Sequence, residues 1–176
     1  MEYFFILGRN PTLSYAEIIS YLKSHGIAYT VSLFKKNFLV LSVGDGIKFN
    51  IQEFGGVMKI GTANAFNSRK KLDDFVKDYF MDSGKFTFTI LGDNPEEETF
   101  EIEEKLMKKF RSEKIKAQVR HSRDDLKLQG GDTGILSRAD VEFFYQVEEG
   151  KIYFGKVDQD YSYEEATHDI LENLVC

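Results

Sequence analysis

The chain has 176 residues, a net charge of −6, a hydrophobic content of 42% and one cysteine, Cys176. This length allows one domain, or two small ones that share a core. The lone cysteine excludes an internal disulfide framework and a cysteine-rich metal site, and no segment reaches the roughly 20 apolar residues of a membrane-spanning helix. We therefore expect a protein of the reducing cytoplasm that does not enter a membrane.

The first 66 residues alternate between strand and helix patterns. Residues 3–8 predict a strand. The next helix is expected to start at Ser14, because Ser14 and Glu17 have the spacing of a capping box, and to end at Gly26. Further elements follow in the order strand, strand, short helix, strand, at residues 28–34, 38–43, 47–54 and 57–66. This order predicts a ferredoxin-like domain, with both helices on one face of an antiparallel sheet.

Residues 67–158 predict a second domain of mixed helices and strands. Ser68 opens its first helix, and Pro95 stands shortly before its second. The expected elements are helix, strand, helix, short strand and a two-stranded hairpin, at residues 68–80, 86–91, 97–111, 117–120, 140–147 and 151–157. Residues 126–138 contain three glycines, and no helix is assigned there.

Residues 159–176 are predicted to be an acidic C-terminal tail. From Asp158 to Cys176 the sequence has six acids and no Lys or Arg. Four apolar residues recur there at helical spacing and predict an amphipathic helix: Ala166, Ile170, Leu171 and Leu174. The apolar face of this helix requires a partner surface, either in its own domain or on another polypeptide.

The sequence contains no recognisable catalytic or cofactor motif. Its two prolines, Pro11 and Pro95, are not adjacent, so the Asp/Asn-Pro-Pro-aromatic loop of amino-group methyltransferases is absent. No strand is followed by a glycine-rich loop for a nucleotide or S-adenosylmethionine. The three histidines, His25, His121 and His168, have no second ligand type at metal spacing. We expect no catalytic residue, cofactor or metal site, and hence no enzyme activity of the chain by itself.

A basic run is the main positive signal. Between Lys105 and Arg123 the sequence has eight Lys or Arg and one acid, and His121 adds a possible donor. Such a patch can neutralise several phosphates. The alternative is a solvated face that balances glutamates just before it, at residues 97, 98, 101, 103 and 104. The predicted RNA-binding residues are Lys105, Lys108, Lys109, Arg111, Lys114, Lys116, Arg120 and Arg123, with Arg9 added beside the end of the first strand.

Four segments resemble one family. Residues 3–18 (YFFILGRNPTLSYAEI) resemble the start of archaeal and eukaryotic tRNA guanosine-10 N2-methyltransferases. Residues 54–61 (FGGVMKIG) resemble the end of that family's N-terminal ferredoxin-like domain. Residues 136–143 and 153–161 resemble the close of its THUMP domain. The resemblance implies an α+β fold, with a ferredoxin-like domain at residues 1–66 and a THUMP-like α/β domain at 67–158.

The resemblance also implies a function. In the family these two units bind tRNA near its acceptor end, and a Rossmann-like methyltransferase domain follows. Here the sequence turns acidic instead, and it is glycine-rich before Leu136. The chain is thus expected to be a tRNA-binding module that positions tRNA for a methyltransferase in trans or on a missing C-terminal half. The alternative is a protein-interaction subunit of a tRNA-modifying complex with little RNA affinity.

Overall fold

All the strands belong to one sheet in the computed structural model, which describes residues 1–121 and 139–161. The elements in chain order are β1 (Glu2–Leu7), α1 (Pro11–Ser24), β2 (Tyr29–Lys35), β3 (Phe38–Val43), a 3-10 turn (Ile51–Glu53), β4 (Val57–Phe66), α2 (Arg69–Asp78), β5 (Lys85–Leu91), α3 (Glu96–Ser112), β6 (Lys116–Val119), β7 (Val141–Glu148) and β8 (Lys151–Asp160). The strand order is β2-β3-β1-β4-β8-β7-β5-β6. The predicted α+β class is confirmed.

The first four strands have the antiparallel order β2-β3-β1-β4 of a ferredoxin-like unit. The predicted second helix at 47–54 is wrong, because only the three-residue 3-10 turn forms there. Asn50 caps that turn through its side chain, and both Asn50 and Phe54 have extended backbones. Phe49 and Phe54 are both buried in the core beside β1. A continuous helix would have to remove one of these anchors from the core.

The N-cap of α1 lies four residues before Ser14, the N-cap that the capping-box pattern predicts. Asn10 is the N-cap, its side chain accepts from the N–H of Leu13, and Pro11 occupies the first turn, where its fixed φ suits a helix. Ser14 is buried and donates to the Asn10 carbonyl. Glu17 accepts from the N–H groups of Gly55 and Gly56 at 3.2 Å each. Glu17 thereby ties α1 to the segment before β4.

The predicted helices and hairpin of the second unit are confirmed. Ser68 caps α2, as expected, and α3 lies within one residue of its predicted ends. β5 pairs in parallel with both β6 and β7, whereas β8 pairs antiparallel with β7 and β4. β8 runs to Asp160, so the first two residues of the predicted tail belong to this strand. Residues 122–138 and 162–176, including the predicted tail helix, lie outside the described part.

Both faces of the sheet are buried. On the helix side, α1 covers one cluster around Phe5, and α2 with α3 covers another around Phe143. The opposite face forms a third cluster with residues of seven strands. In it the rings of Phe4 and Phe144 stack with centroids 4.5 Å apart, and Phe38 lies 5.9 Å from Phe144.

This third cluster shows that the sheet curls back on itself. β3 and β7 are four strands apart in the strand order, a separation of roughly 19 Å in a flat sheet with its usual 4.7–4.9 Å strand spacing. Their phenylalanines nevertheless touch. Lys35 of β2 reaches Glu148 of β7 at 3.0 Å at the same end. The ferredoxin-like and second units thus share one sheet and the third cluster.

Asn94 extends the pairing of β5 with β7 beyond the end of β5. Its side chain donates to the Tyr145 carbonyl at 2.7 Å and accepts from the Val147 N–H at 2.8 Å. We expect Asn94→Ala to lower the free energy of unfolding by about 1–3 kcal/mol, because both backbone groups lose this partner in a partly buried place. Urea unfolding measures the change. Exposed Asn64→Ala is the control, and equal effects of the two substitutions would contradict the assignment.

Within the part of the chain that the structure describes, no helix is long and apolar enough to cross a bilayer.

Candidate nucleic-acid interface

The end of α3 and the edge strand β6 carry most of the predicted phosphate contacts. The connection between them is short: Lys114 adopts a left-handed backbone (φ 59°), and β6 begins two residues later. Along β6, exposed residues alternate with half-buried ones. Lys116 and Arg120 are therefore exposed, whereas Val119 packs on the helix side of the sheet.

Two of the predicted lysines have protein partners instead. α2 and α3 lie side by side, and Lys105 Nζ is 2.8 Å from Asp73 of α2 and 3.3 Å from Glu101. The Lys109 side chain is only 12% exposed; its Nζ is 2.5 Å from Glu113 and also donates to the Lys77 carbonyl. The charges of both lysines are balanced within the fold, so neither belongs to the candidate interface.

The other cations at this edge differ. Lys108 and Arg111 are exposed on α3, and Lys114 and Lys116 are exposed on the turn and on β6. None of these four has an ion-pair partner within residues 1–121 and 139–161. Arg120 lies close enough to Asp140 to help lower the pKa of that carboxyl, an effect due mainly to hydrogen bonds from Thr87.

Of the two remaining predicted residues, only Arg9 is described by the structure, and it is not at this edge. Arg9 is exposed in the loop between β1 and α1. In the strand order, β1 and β6 are separated by β4, β8, β7 and β5. Arg123 lies outside the described residues.

Lys85 belongs to the same edge, although it is not among the predicted RNA-binding residues. It is exposed at the start of β5 and pairs in register with Lys116. Together with Arg111 and Lys116 it lines a groove of about 460 Å³. Lys85 is isolated from the other basic residues in the sequence, and the pairing of β5 with β6 brings it to them. We name the resulting set the cation strip: Lys85, Lys108, Arg111, Lys114, Lys116 and Arg120.

A second groove, of about 560 Å³, lies between α3 and the end of β6. Phe100, which is 59% exposed, and half-buried Met107 and Val119 form its apolar lining. Lys108 and Arg111 of the cation strip line the same groove, and Met107 and Arg111 line both grooves. The two grooves therefore adjoin along α3.

Glu103 is an acid within this second groove. It is only 7% exposed, and its Oε1 lies 3.4 Å from Nδ1 of His121. Burial raises the pKa of Glu103, and His121 opposes that rise. Besides His121, the Glu103 carboxylate has no hydrogen-bond or ion-pair partner among the residues described. A buried carboxylate with so little compensation favours an additional hydrogen-bond donor.

A buried ion pair joins the two units away from these grooves. Lys59 of β4 contacts Glu142 of β7 at 2.5 Å and Asp160 of β8 at 2.8 Å, with the Lys59 and Glu142 side chains 4% and 9% exposed. Glu142 Oε2 is buried without a hydrogen-bond partner, and burial raises the pKa of Glu142. Lys59 lies in the segment 54–61 on which the family resemblance rests. Its contacts assign it a structural role.

No group of three or more His, Cys, Asp or Glu in the described ranges is arranged to hold a metal ion.

Comparison with known proteins gives matches in structure only. No family model and no curated protein matches the sequence. Three solved structures align with it: PH1313 from Pyrococcus horikoshii (TM-score 0.53, 12% identity), a 4-thiouridine synthetase in complex with RNA and ATP (0.54, 9%) and TrmN from Thermus thermophilus (0.55, 11%). The likeness is one of fold.

These alignments cover 92%, 92% and 91% of the present chain, but 55%, 42% and 46% of the three structures. The chain thus spans about half the length of the proteins that it resembles. Because the alignments extend over both units, they support the predicted arrangement of a ferredoxin-like unit followed by a THUMP-like unit.

Proposed function

We propose that the chain binds tRNA and positions it for a methyltransferase, which is a separate polypeptide or a further part of the same protein. The cation strip carries this proposal. It places six exposed cations on neighbouring elements of a chain whose net charge is −6, so a basic surface exists despite the acidic total. Catalysis is assigned to the methyltransferase, since the sequence contains no methyl-transfer motif.

Two further observations support RNA as the partner. One of the similar structures is a 4-thiouridine synthetase in complex with RNA. The sequence segments 3–18 and 54–61 resemble a family of tRNA methyltransferases. Contacts from the cation strip would be made to phosphates, because double-stranded RNA presents few base edges that side chains can read. We propose the acceptor end as the bound region on the basis of the resemblance.

Charge reversal in the cation strip tests the proposal. We expect Lys108→Glu with Lys116→Glu to weaken tRNA binding by at least about tenfold at low salt and to reduce the salt slope by about 2, at about 0.9 per lost phosphate contact. The measurement is binding of labelled tRNA over a salt series. A second sample of tRNA, trimmed of its single-stranded 3′ end, tests the acceptor-end assignment. We expect the trimmed tRNA to bind more weakly than intact tRNA.

The matched control is Lys23→Glu with Lys48→Glu. Both lysines are exposed and lie in the ferredoxin-like unit outside the strip, so the change in net charge is the same. Equal losses in the two double variants would show that only total charge matters and would contradict the proposal. If wild-type protein fails to bind tRNA even at low salt, the alternative of a protein-interaction subunit is favoured.

A further inference from the structure

We propose that the groove between α3 and β6 binds one unpaired nucleotide of RNA, stacks its base on Phe100 and selects bases that carry an exocyclic amino group. The inference rests on the proposed RNA-binding function and adds to it a base-specific site. The cation strip alone provides contacts to phosphate, which carry no sequence information.

The lining of the groove matches the parts of a nucleotide. Phe100 is the exposed aromatic side chain of the groove, while Met107 and Val119 form an apolar floor. An unstacked base gains from contact with an aromatic face whatever its identity. Lys108 and Arg111 stand at the rim, where the phosphate of the same nucleotide would lie. The volume of about 560 Å³ falls in the usual range of small-molecule sites.

The position of the groove allows the RNA strand to continue. Arg111 lines both this groove and the adjoining one, which also contains Lys85 and Lys116. An RNA strand with one base in the groove can therefore place its next phosphates against the cation strip. This continuity favours a nucleotide within RNA, because a free nucleotide would use only the cations of its own groove, Lys108 and Arg111, and an apolar peptide would use none.

Glu103 supplies the base selection. A carboxylate accepts hydrogen bonds and donates none, so it pairs with amino groups such as N4 of cytosine. Uracil presents no amino group and has a carbonyl oxygen where cytosine has N4, so its imino N3–H is the one base donor that it can offer the acid. Glu103 is 7% exposed, and among the described residues only His121 contacts its carboxylate. An amino group from a base would add a hydrogen-bond donor to this mostly buried acid, which lines the groove.

The test uses short labelled RNAs that differ at one position, with C, A, G or U in an otherwise constant oligouridine. For the wild-type protein we expect the amino-bearing bases to bind more tightly than uracil. Phe100→Ala should weaken binding of all four by on the order of tenfold, the usual effect of losing one stacked base. Glu103→Gln should reduce the preference for amino-bearing bases while leaving stacking intact.

Phe80→Ala is the control, because Phe80 is 79% exposed and lies outside the groove. Far-ultraviolet circular dichroism checks that each variant is folded. If tRNA binding still depends on Lys108 and Lys116 but Phe100→Ala behaves like Phe80→Ala, the groove proposal is wrong and the RNA-binding function stands. If none of the RNAs binds to the wild-type protein, the proposed function itself fails.

Discussion

Replacing Phe144 with alanine should lower the free energy of unfolding by about 3–5 kcal/mol, the usual range for a buried Phe→Ala change. Phe144 is fully buried, stacks on Phe4 and packs near Phe38, so its ring joins β7 to strands of the ferredoxin-like unit. The substitution would leave a cavity in the third cluster, which the two units share. Unfolding in urea, followed by circular dichroism and by tyrosine fluorescence, measures the loss.

The same experiment tests whether the two units unfold together. With a shared sheet and core, both probes should report one coincident transition in the wild-type protein and in the variant. Phe80→Ala, at an exposed site, should change stability by less than about 0.5 kcal/mol. Two separate transitions, with Phe144→Ala shifting only one of them, would show that the third cluster does not couple the units.

Replacing Lys59 with methionine should cost a similar amount, about 3–5 kcal/mol, because it leaves Glu142 buried without its countercharge. Adding Glu142→Leu should recover much of this loss, since a neutral apolar pair requires no compensation, and Asp160 is 56% exposed. Exposed Lys48→Met serves as the control. If the double variant is no more stable than Lys59→Met alone, the buried charge of Glu142 is not the cause.

The cost of Lys59→Met should also depend on pH. Burial raises the pKa of Glu142, so the folded state binds this proton more tightly than the unfolded state. The stability that protonation of Glu142 adds is complete below the pKa of this residue in the unfolded state. It is lost as the pH rises through the pKa in the folded state. Lys59 opposes this rise in the pKa of Glu142, so the rise is larger in the Lys59→Met variant. The deficit of the variant should therefore shrink as the pH falls from neutral towards the ordinary range of a glutamate pKa, because Glu142 becomes protonated there.

Local patterns predicted the elements well where packing agreed with them. α3 carries its apolar residues at helical spacing, and these same residues, Ile102, Leu106 and Phe110, are buried. At α1 the capping-box prediction was wrong: the helix begins at Pro11 after Asn10, and Glu17 accepts from Gly55 and Gly56 instead of capping the helix. That contact spans about forty residues, so no local pattern contains it.

The candidate site was predicted only in part, for a similar reason. Lys105, Lys108 and Lys109 look equivalent in the sequence. The packing of α2 against α3 separates them, since it brings Asp73 to Lys105 while Lys108 remains exposed on the groove. Glu103 reads as one of several acids of a solvated helix face, but it is buried beside His121. Burial and pairing between distant segments decide these roles.

The pairing of β4 with β8 has a consequence for synthesis on the ribosome. β4 ends at Phe66, and its partner on one side is β8, whose last residue is Asp160. At a translation rate of about 5–20 residues per second, the last residue of β8 is synthesised roughly 5–20 s after the last residue of β4. During this interval one edge of the ferredoxin-like unit is open, and Phe4 and Ile6 lack the covering residues of β7 and β8. We expect nascent chains to depend on chaperones most strongly in this window.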